Sequence, residues 1–222
     1  MRRTLDAVSA CLLPGGVDLF RVLAQVDGYL YPHEAIFLYW LARDSPGDGT
    51  IVEVGSMRGR SALCMAMGLR KRGNGKIFAI DPHVYNTENE LRGNIAHFGL
   101  DHHIEPIVAP SIESANQWKR PLDVVFLDGD HSRSAIKADV EAWVPHIKAG
   151  GFLVLHDSTD LSGHSGPRIV ASNIRVSSSG FDELGTLGSI TWARRAGAAP
   201  GSVPRQYGKP VFDTVISALR HQ

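Results

Sequence analysis

No stretch of this 222-residue sequence approaches the roughly 20 consecutive apolar residues that a membrane-spanning helix needs, so no membrane span is expected. Cysteine is scarce. Cys11 and Cys64 are the two present, they lack metal-ligand spacing, and both sit among apolar neighbours. A disulfide framework or zinc module is therefore excluded, and two reduced, buried thiols of a cytoplasmic protein are expected. Charge of one sign is also missing: Lys+Arg and Asp+Glu are both 23, giving a net charge of zero. Neither a nucleic acid nor an anionic membrane surface is expected as partner. The N-terminus, MRRTLDAVSACLLPGG, has two arginines and a short apolar segment, but Asp6 stands where a secretory h-region should begin. Internal repeats, low-complexity tracts and a complete G-x-G-x-x-G are absent as well, and the last of these disfavours a nicotinamide-dependent dehydrogenase.

What is present alternates between two patterns. TIVEVG (50–55), KIFAID (76–81), HIEPIVA (103–109), LDVVFLD (122–128) and GGFLVLHD (150–157) read as short strands, the third flawed by Pro106, with further candidates near 168–176 and 187–193. Between them, segments 60–73, 88–100 and 111–118 read as helices. So does a run that sets Ile136, Val140, Trp143, Val144 and Ile147 on one face. Upstream, residues 1–27 predict one or two amphipathic helices broken at Pro14-Gly15-Gly16, and Pro32 with Glu34 opens another helix. The tail, 196–222, is Gly/Pro-rich with a short helix over 211–220. Strands alternating with helices predict an α/β fold, a mostly parallel sheet with helices on both faces. An N-terminal helical cap over 1–45 would precede a main domain over 46–195.

Ligands of such sheets bind outside the carboxyl ends of the strands. Glu53 to Gly59, Asp81, Asp128 to His131, and His156-Asp157 all fall there. In EVGSMRGRS (53–61), Gly55 permits a tight turn and Gly59 a close backbone approach to a ligand at a helix N-terminus. An ordinary strand–helix loop explains the pair equally well. Asp81 at the end of the next strand suits ribose hydroxyls, although Asp81-Pro82 alone reads as a turn. FLDGDHS (126–132) and VLHDS (154–158) end two apolar runs in acid and histidine. On neighbouring strands these ends would converge, to hold a metal, a base, or two solvated turns.

TIVEVGSMRGRSALCMA, KIFAIDPH, DVVFLDGDHS and GGFLVLHDS, in that order, resemble the class I S-adenosylmethionine-dependent methyltransferases over roughly residues 28–193. In detail the chain is similar to the small O-methyltransferases of methyltransferase family 24. These are related to metal-dependent catechol and caffeoyl-coenzyme A enzymes and to sugar-modifying enzymes of macrolide, aminocoumarin and polymethylated polysaccharide pathways. The resemblance implies a Rossmann-like seven-stranded sheet whose last strand is antiparallel. It implies S-adenosylmethionine as cofactor, with Glu53, Gly55, Ser56, Gly59 and Ser61 about its methionine part, Asp81 at the ribose, Ser111 at the adenine, and Asp128 closing the site. It implies a metal on Asp128 and Asp157, but relatives carry an acid where His156 stands or an Asn where Ser158 stands, and this chain has neither. Either Mg²⁺ is held by the two carboxylates and water, or His156 or Ser158 is the third ligand, with His156 favouring a softer ion such as Mn²⁺ or Zn²⁺. His131, ahead of Asp130, would be the base that takes a proton from the acceptor hydroxyl. Ser132 is the better helix cap, which leaves His131 free.

The Asp-x-Asp-His cluster resembles sugar-modifying members more than phenol-modifying ones, so the expected acceptor is a saccharide or glycosylated small molecule. A catechol O-methyltransferase and a non-catalytic cofactor-binding module are the alternatives. His83 and Tyr85 are candidates to frame the pocket, and His164 and Arg168 to touch the substrate. Tyr29, Tyr31 and His33 either cover the acceptor or start a helix packed on the sheet. Met57, Met65, Met67 and the His102-His103 pair read as packing and loop residues. The apolar N-terminal helices suggest a homodimer.

Overall fold

The structure, a computed structural model, describes residues 17–177 and 180–197. Cys11, the Pro14-Gly15-Gly16 break and the 211–220 helix lie outside those residues. Fourteen regular elements follow: α1 (Val17–Gln25), α2 (Pro32–Asp44), β1 (Thr50–Val54), α3 (Arg60–Arg72), β2 (Lys76–Ile80), α4 (Glu88–His97) and β3 (Ile104–Ile107). Then come α5 (Ser111–Gln117), β4 (Leu122–Leu127), α6 (Arg133–Trp143), β5 (Ile147–Leu155), α7 (Ser165–Ser177), β6 (Phe181–Leu187) and β7 (Ile190–Arg195). The strands form one sheet in the order β3-β2-β1-β4-β5-β7-β6. Only β7 runs against the others, pairing antiparallel with both β5 and β6.

Two apolar layers sandwich the sheet. On one face α1, α2 and α3 pack over Ile51, Ile77, Val124, Phe126 and Val154. On the other, Ile136 and Trp143 of α6 and Val170, Ala171 and Ile174 of α7 cover Val52, Val125, Leu127 and Leu153. Strands β1, β2 and β4 are buried on both faces, which is why they read as unbroken apolar runs. Leu19 and Val22 of α1, and Val26 just after it, are buried within this same chain, so that helix's apolar face is already covered. Cys64 is buried and free. Among the described residues no helix is long and apolar enough to cross a membrane.

Three sequence expectations are corrected. The segment near 168–176 is helical, not a strand. Val170, Ala171 and Ile174 share one buried stripe while Arg168, Ser172 and Asn173 face water, a helical period that β-branched content concealed. The single strand expected at 187–193 is instead the end of β6, a turn at Gly188-Ser189, and β7. β6 carries Asp182, Glu183 and Gly185, residues poor in strands but tolerated on a sheet edge. Helix α6 stops at Trp143 because Pro145 cannot continue it, so Ile147 opens β5 and pairs with Leu122. Pro106 does lie in β3, where the outer edge of the sheet requires no donor from it.

Candidate active site

The sheet's hydrogen-bond ladder runs one residue past each central strand. Asp81 N–H donates to Ile107 O, Gly55 N–H to Ile80 O, Asp128 N–H to Val54 O and His156 N–H to Leu127 O, all at 2.9–3.1 Å. The side chains of Asp81, Asp128 and His156 therefore stand in one row at the carboxyl edge. The non-glycine residues with positive φ among the described residues are Met57, His83, Asn86 and Asp157. All lie in loops leaving that edge, where strain of order 1–3 kcal/mol each is held by surrounding contacts.

One half of the row is built around β1 and β2. Gly55 has φ +88°, and a Cβ there would stand 2.2 Å from the Asp128 carbonyl, so only glycine lets the two loops touch. Gly59 caps α3 in the left-handed region. Glu53 is wholly buried. Its Oε1 accepts from Ser61 Oγ at 2.5 Å, while its Oε2 and the Ser56 hydroxyl are buried without partners. Burial pushes the Glu53 carboxyl up to about 8, despite the Ser61 hydrogen bond, and the Asp128 charge adds to the effect. Glu53 thus presents a buried carboxyl oxygen, without a hydrogen bond, at the carboxyl end of β1. Asp81 accepts Met57 N–H at 2.8 Å and His83 N–H at 2.6 Å, one on each oxygen, which fixes the carboxylate with further acceptor capacity outward. His83 is buried, with Nδ1 on Thr87 Oγ1 at 2.9 Å. Tyr85, by contrast, is exposed.

Ser111 has a part the sequence did not show. Its hydroxyl donates to Asp139 at 2.5 Å and accepts from the Trp143 indole at 2.9 Å, tying α5 to α6. An adenine at this end would meet the exposed Val108 and Ile112 beside it more readily than the Ser111 oxygen.

The other half is the acid–histidine cluster. His156 is buried, with Nδ1 3.0 Å from Asp128 Oδ1 and 3.7 Å from Asp157 Oδ2. Its Nε2 faces Glu34 Oε2 of α2 at 3.4 Å. Burial alone would lower the imidazole's pKa, but the charge of Asp128, with hydrogen bonds to Asp128 and Glu34, pushes it up to about 10. Asp128 is correspondingly held below the usual carboxylate range, against burial, by His156 and His131. His131 Nε2 lies 3.5 Å from Asp128 Oδ1 and 3.6 Å from Asp157 Oδ2, buried and without a hydrogen bond. The neighbouring Asp128 carboxylate raises its pKa. The His164 ring lies tilted against it, centroids 4.2 Å apart, with Nε2 3.9 Å from Asp157. That pairing follows from α7, whose Gly166 sits so close to the His131 carbonyl that a Cβ would come within 2.1 Å.

Asp130 is exposed and accepts Ser132 N–H at 2.7 Å, a bond that lowers its pKa and weakens it as a base. Ser132 caps α6 through Ala135 N–H, as expected. Ser158 is buried, and its hydroxyl turns to the carbonyls of Leu155 and Ser189 at 2.8 and 3.2 Å, away from a ligand's part. The structure thus gathers Asp128, His131, His156, Asp157 and His164, and leaves Ser158 and Asp130 out. Glu34 was missed as a site residue. In the sequence it is one acid in a helix's first turn, and only the folded chain brings it across to β5.

For a divalent cation the donor set is two carboxylates with imidazoles. Asp128, His156 and Asp157 each offer an atom within 4.8 Å of the others, as do His131, Asp157 and His164. His156 Nδ1 and Asp128 Oδ1 stand at hydrogen-bond distance, 3.0 Å, and both are groups that can ligate a cation. The residues fit a divalent cation that accepts nitrogen as well as oxygen.

Residues 52–158 match the family described as a methyltransferase domain. An uncharacterized protein of Acanthamoeba polyphaga mimivirus is 28% identical over 120 residues. That match takes in 51% of this chain and spans about half, 53%, of the viral protein. Among solved structures, a Corynebacterium glutamicum protein superposes with TM-score 0.67 at 18% identity, over 88% of this chain and 97% of that one. The Bacillus cereus O-methyltransferase in complex with SAH gives 0.63 at 19% identity, over 86% and 96%. The O-methyltransferase TomG of Streptomyces achromogenes, involved in tomaymycin synthesis and solved with SAM, gives 0.61 at 17%, over 87% and 90%.

Proposed function

We propose that this chain, whose residues 52–158 match a methyltransferase-domain family and whose fold is similar to that of S-adenosylmethionine-dependent O-methyltransferases, methylates a hydroxyl of a saccharide or glycosylated small molecule with the aid of a divalent cation. The observation that carries this reading is the meeting, at one sheet edge, of the Glu53–Asp81 cradle with the Asp128–His131–Asp157 cluster, joined where Gly55 touches the Asp128 carbonyl.

When bound, S-adenosylmethionine supplies an electrophilic methyl group and the cation lowers the pKa of an acceptor hydroxyl. The chain's own residues do the rest. The outward side of Asp81, already fixed by two backbone N–H groups, receives ribose hydroxyls. Glu53 answers the cofactor's positive charge. Asp128, Asp157 and His156 are the residues that would hold the cation. His131, a half-exposed ring whose Nε2 lies 3.5 Å from Asp128 and 3.6 Å from Asp157, takes the acceptor proton as general base ahead of Asp130.

A groove of 640 Å³, which Ser158, Thr159, Asp160 and Arg168 line together with apolar Leu161 and Ile169, follows Asp157 in the chain and is the place where the acceptor would sit. Exposed Tyr31, stacked on His33 at 5.7 Å, flanks the same corner through Glu34 and offers a ring face for a sugar. The chain would work as a soluble cytoplasmic enzyme. The test is transfer of labelled methyl to a panel of sugars, glycosides and catechols, with Mn²⁺ or Mg²⁺ and again with chelator. Label in a saccharide that vanishes with chelator is the expected result. Label only in catechols would replace the acceptor class, and transfer indifferent to chelator would remove the cation.

A further inference from the structure

Glu34 belongs to the N-terminal segment, yet its carboxylate is wholly buried against the catalytic edge. Oε1 accepts the backbone N–H and the hydroxyl of Ser189 at 2.6 and 2.8 Å. Oε2 accepts Tyr31 N–H at 3.0 Å and faces His156 Nε2 at 3.4 Å. The turn at Gly188 closes over it so tightly that a Cβ there would meet Glu34 Oε1 at 2.5 Å. Glu34 therefore has little freedom to move, and it holds the far nitrogen of His156. The opposite nitrogen, Nδ1, is thereby aimed at Asp128 and Asp157. Histidines that bind metals carry such a carboxylate on the non-ligating nitrogen, where it fixes tautomer and ring orientation.

Resting on the cation of the proposed function, we propose that Glu34 is a positioning residue that presents His156 Nδ1 as a nitrogen ligand beside Asp128 and Asp157, so that the site takes Mn²⁺, Co²⁺ or Zn²⁺ in preference to Mg²⁺. Adjacent ligands around a cation with bonds near 2.1 Å stand about 3.0–3.4 Å apart. Nδ1 is 3.0 Å from Asp128 Oδ1 and 3.7 Å from Asp157 Oδ2, so small side-chain shifts close the set. Mg²⁺ favours an all-oxygen shell with retained waters, and a nitrogen donor discriminates against it. His131 stays outside this set and keeps its part as base.

The experiment compares the full chain with Glu34→Gln and Glu34→Asp. Mn²⁺ and Mg²⁺ affinities are read by paramagnetic resonance and competition, and the cobalt site by its visible absorption. The wild-type chain is expected to bind Mn²⁺ more than about tenfold tighter than Mg²⁺. Glu34→Gln should weaken Mn²⁺ by about 10–100-fold and shift the Co²⁺ bands, and Glu34→Asp should restore part of both. S-adenosylmethionine affinity, measured alongside, should stay within about twofold. A folded Glu34→Gln chain with wild-type Mn²⁺ affinity and an unchanged Co²⁺ spectrum overturns the proposal while leaving the cation in place. A wild-type chain that binds none of these ions overturns it too, together with the cation of the proposed function. Should Glu34→Gln not fold, His156→Gln decides the matter: loss of the preference for Mn²⁺ supports the ligand, and its retention overturns it.

Discussion

Replacing Glu53 by Gln should make the protein more stable and weaken its binding of S-adenosylmethionine, with both effects growing as the pH rises. Glu53 is fully buried, and its carboxyl is pushed from an ordinary 4.5 up to about 8, chiefly by burial. Between those values the folded chain keeps a proton that the unfolded chain has released. A raised carboxyl of this kind is harmless below pH 4.5 and costs stability progressively up to pH 8. Each pH unit in that window is worth about 1.4 kcal/mol, so the cost reaches roughly 3 kcal/mol at pH 7. Gln keeps the acceptor for Ser61 and copies the protonated acid, but it does not titrate. Melting curves of the two proteins should therefore coincide near pH 4.5 and separate by about 6–12 °C at pH 7. Calorimetric titration with S-adenosylmethionine should show the opposite cost, because Gln has no negative charge to set against the cofactor. Wild-type affinity should climb with pH toward 8 and the variant's stay flat. A melting difference that is the same at pH 5 and pH 8 would refute the reasoning, since it would mean that Glu53 titrates normally in the folded chain.

Four other substitutions have defined outcomes. Gly55→Ala combines a φ of +88° with a 2.2 Å clash against the Asp128 carbonyl, and should cost about 3 kcal/mol or more in chemical denaturation. Asp123→Ala removes a buried carboxylate that accepts from Gly49 and Thr50 and pairs with Lys148. It should cost about 3–5 kcal/mol without moving cofactor affinity at the denaturant-free optimum, as read by titration of the folded fraction. His131→Ala should lower kcat by about 10²–10⁴ with cofactor binding retained, whereas Asp130→Asn should change it by less than about tenfold. Equal losses from the two would return Asp130 to the role of base.

The central strands were legible because burial on both faces leaves no choice of residue type: TIVEV, KIFAI and LDVVFL carry nothing a solvated strand would need. Asp81, Asp128 and His156 were legible for the same reason, since a polar residue ending such a run marks the carboxyl edge. The region after β5 was not. Ile169, Val170 and Ile174 have strand-like side chains, and the packing against β4 and β5 that makes them a helical stripe is tertiary. The edge strand β6, with Asp182 and Glu183, has no apolar face for a pattern to reveal. Ser111 and Ser158 were placed in the site by position alone, and their hydroxyls turn elsewhere because Trp143 in one case and the Leu155 and Ser189 carbonyls in the other lie closer. His164 was expected beside the substrate from its place in the loop after β5, whereas Glu34 carries no local signal, because it reaches the cluster from another element.

Glu34 also bears on how this chain can be taken apart or recombined. A boundary drawn between residues 45 and 46 follows composition and would keep every strand of the sheet. It would also leave Ser189 N–H and the far nitrogen of His156 facing an empty place in the interior. Cap and sheet are therefore not interchangeable parts. Grafting another N-terminal segment to alter acceptor choice would have to import an acid at position 34 and a matching turn at Gly188-Ser189 as a single unit. The two halves of the chain share one lock, and neither carries the whole of it.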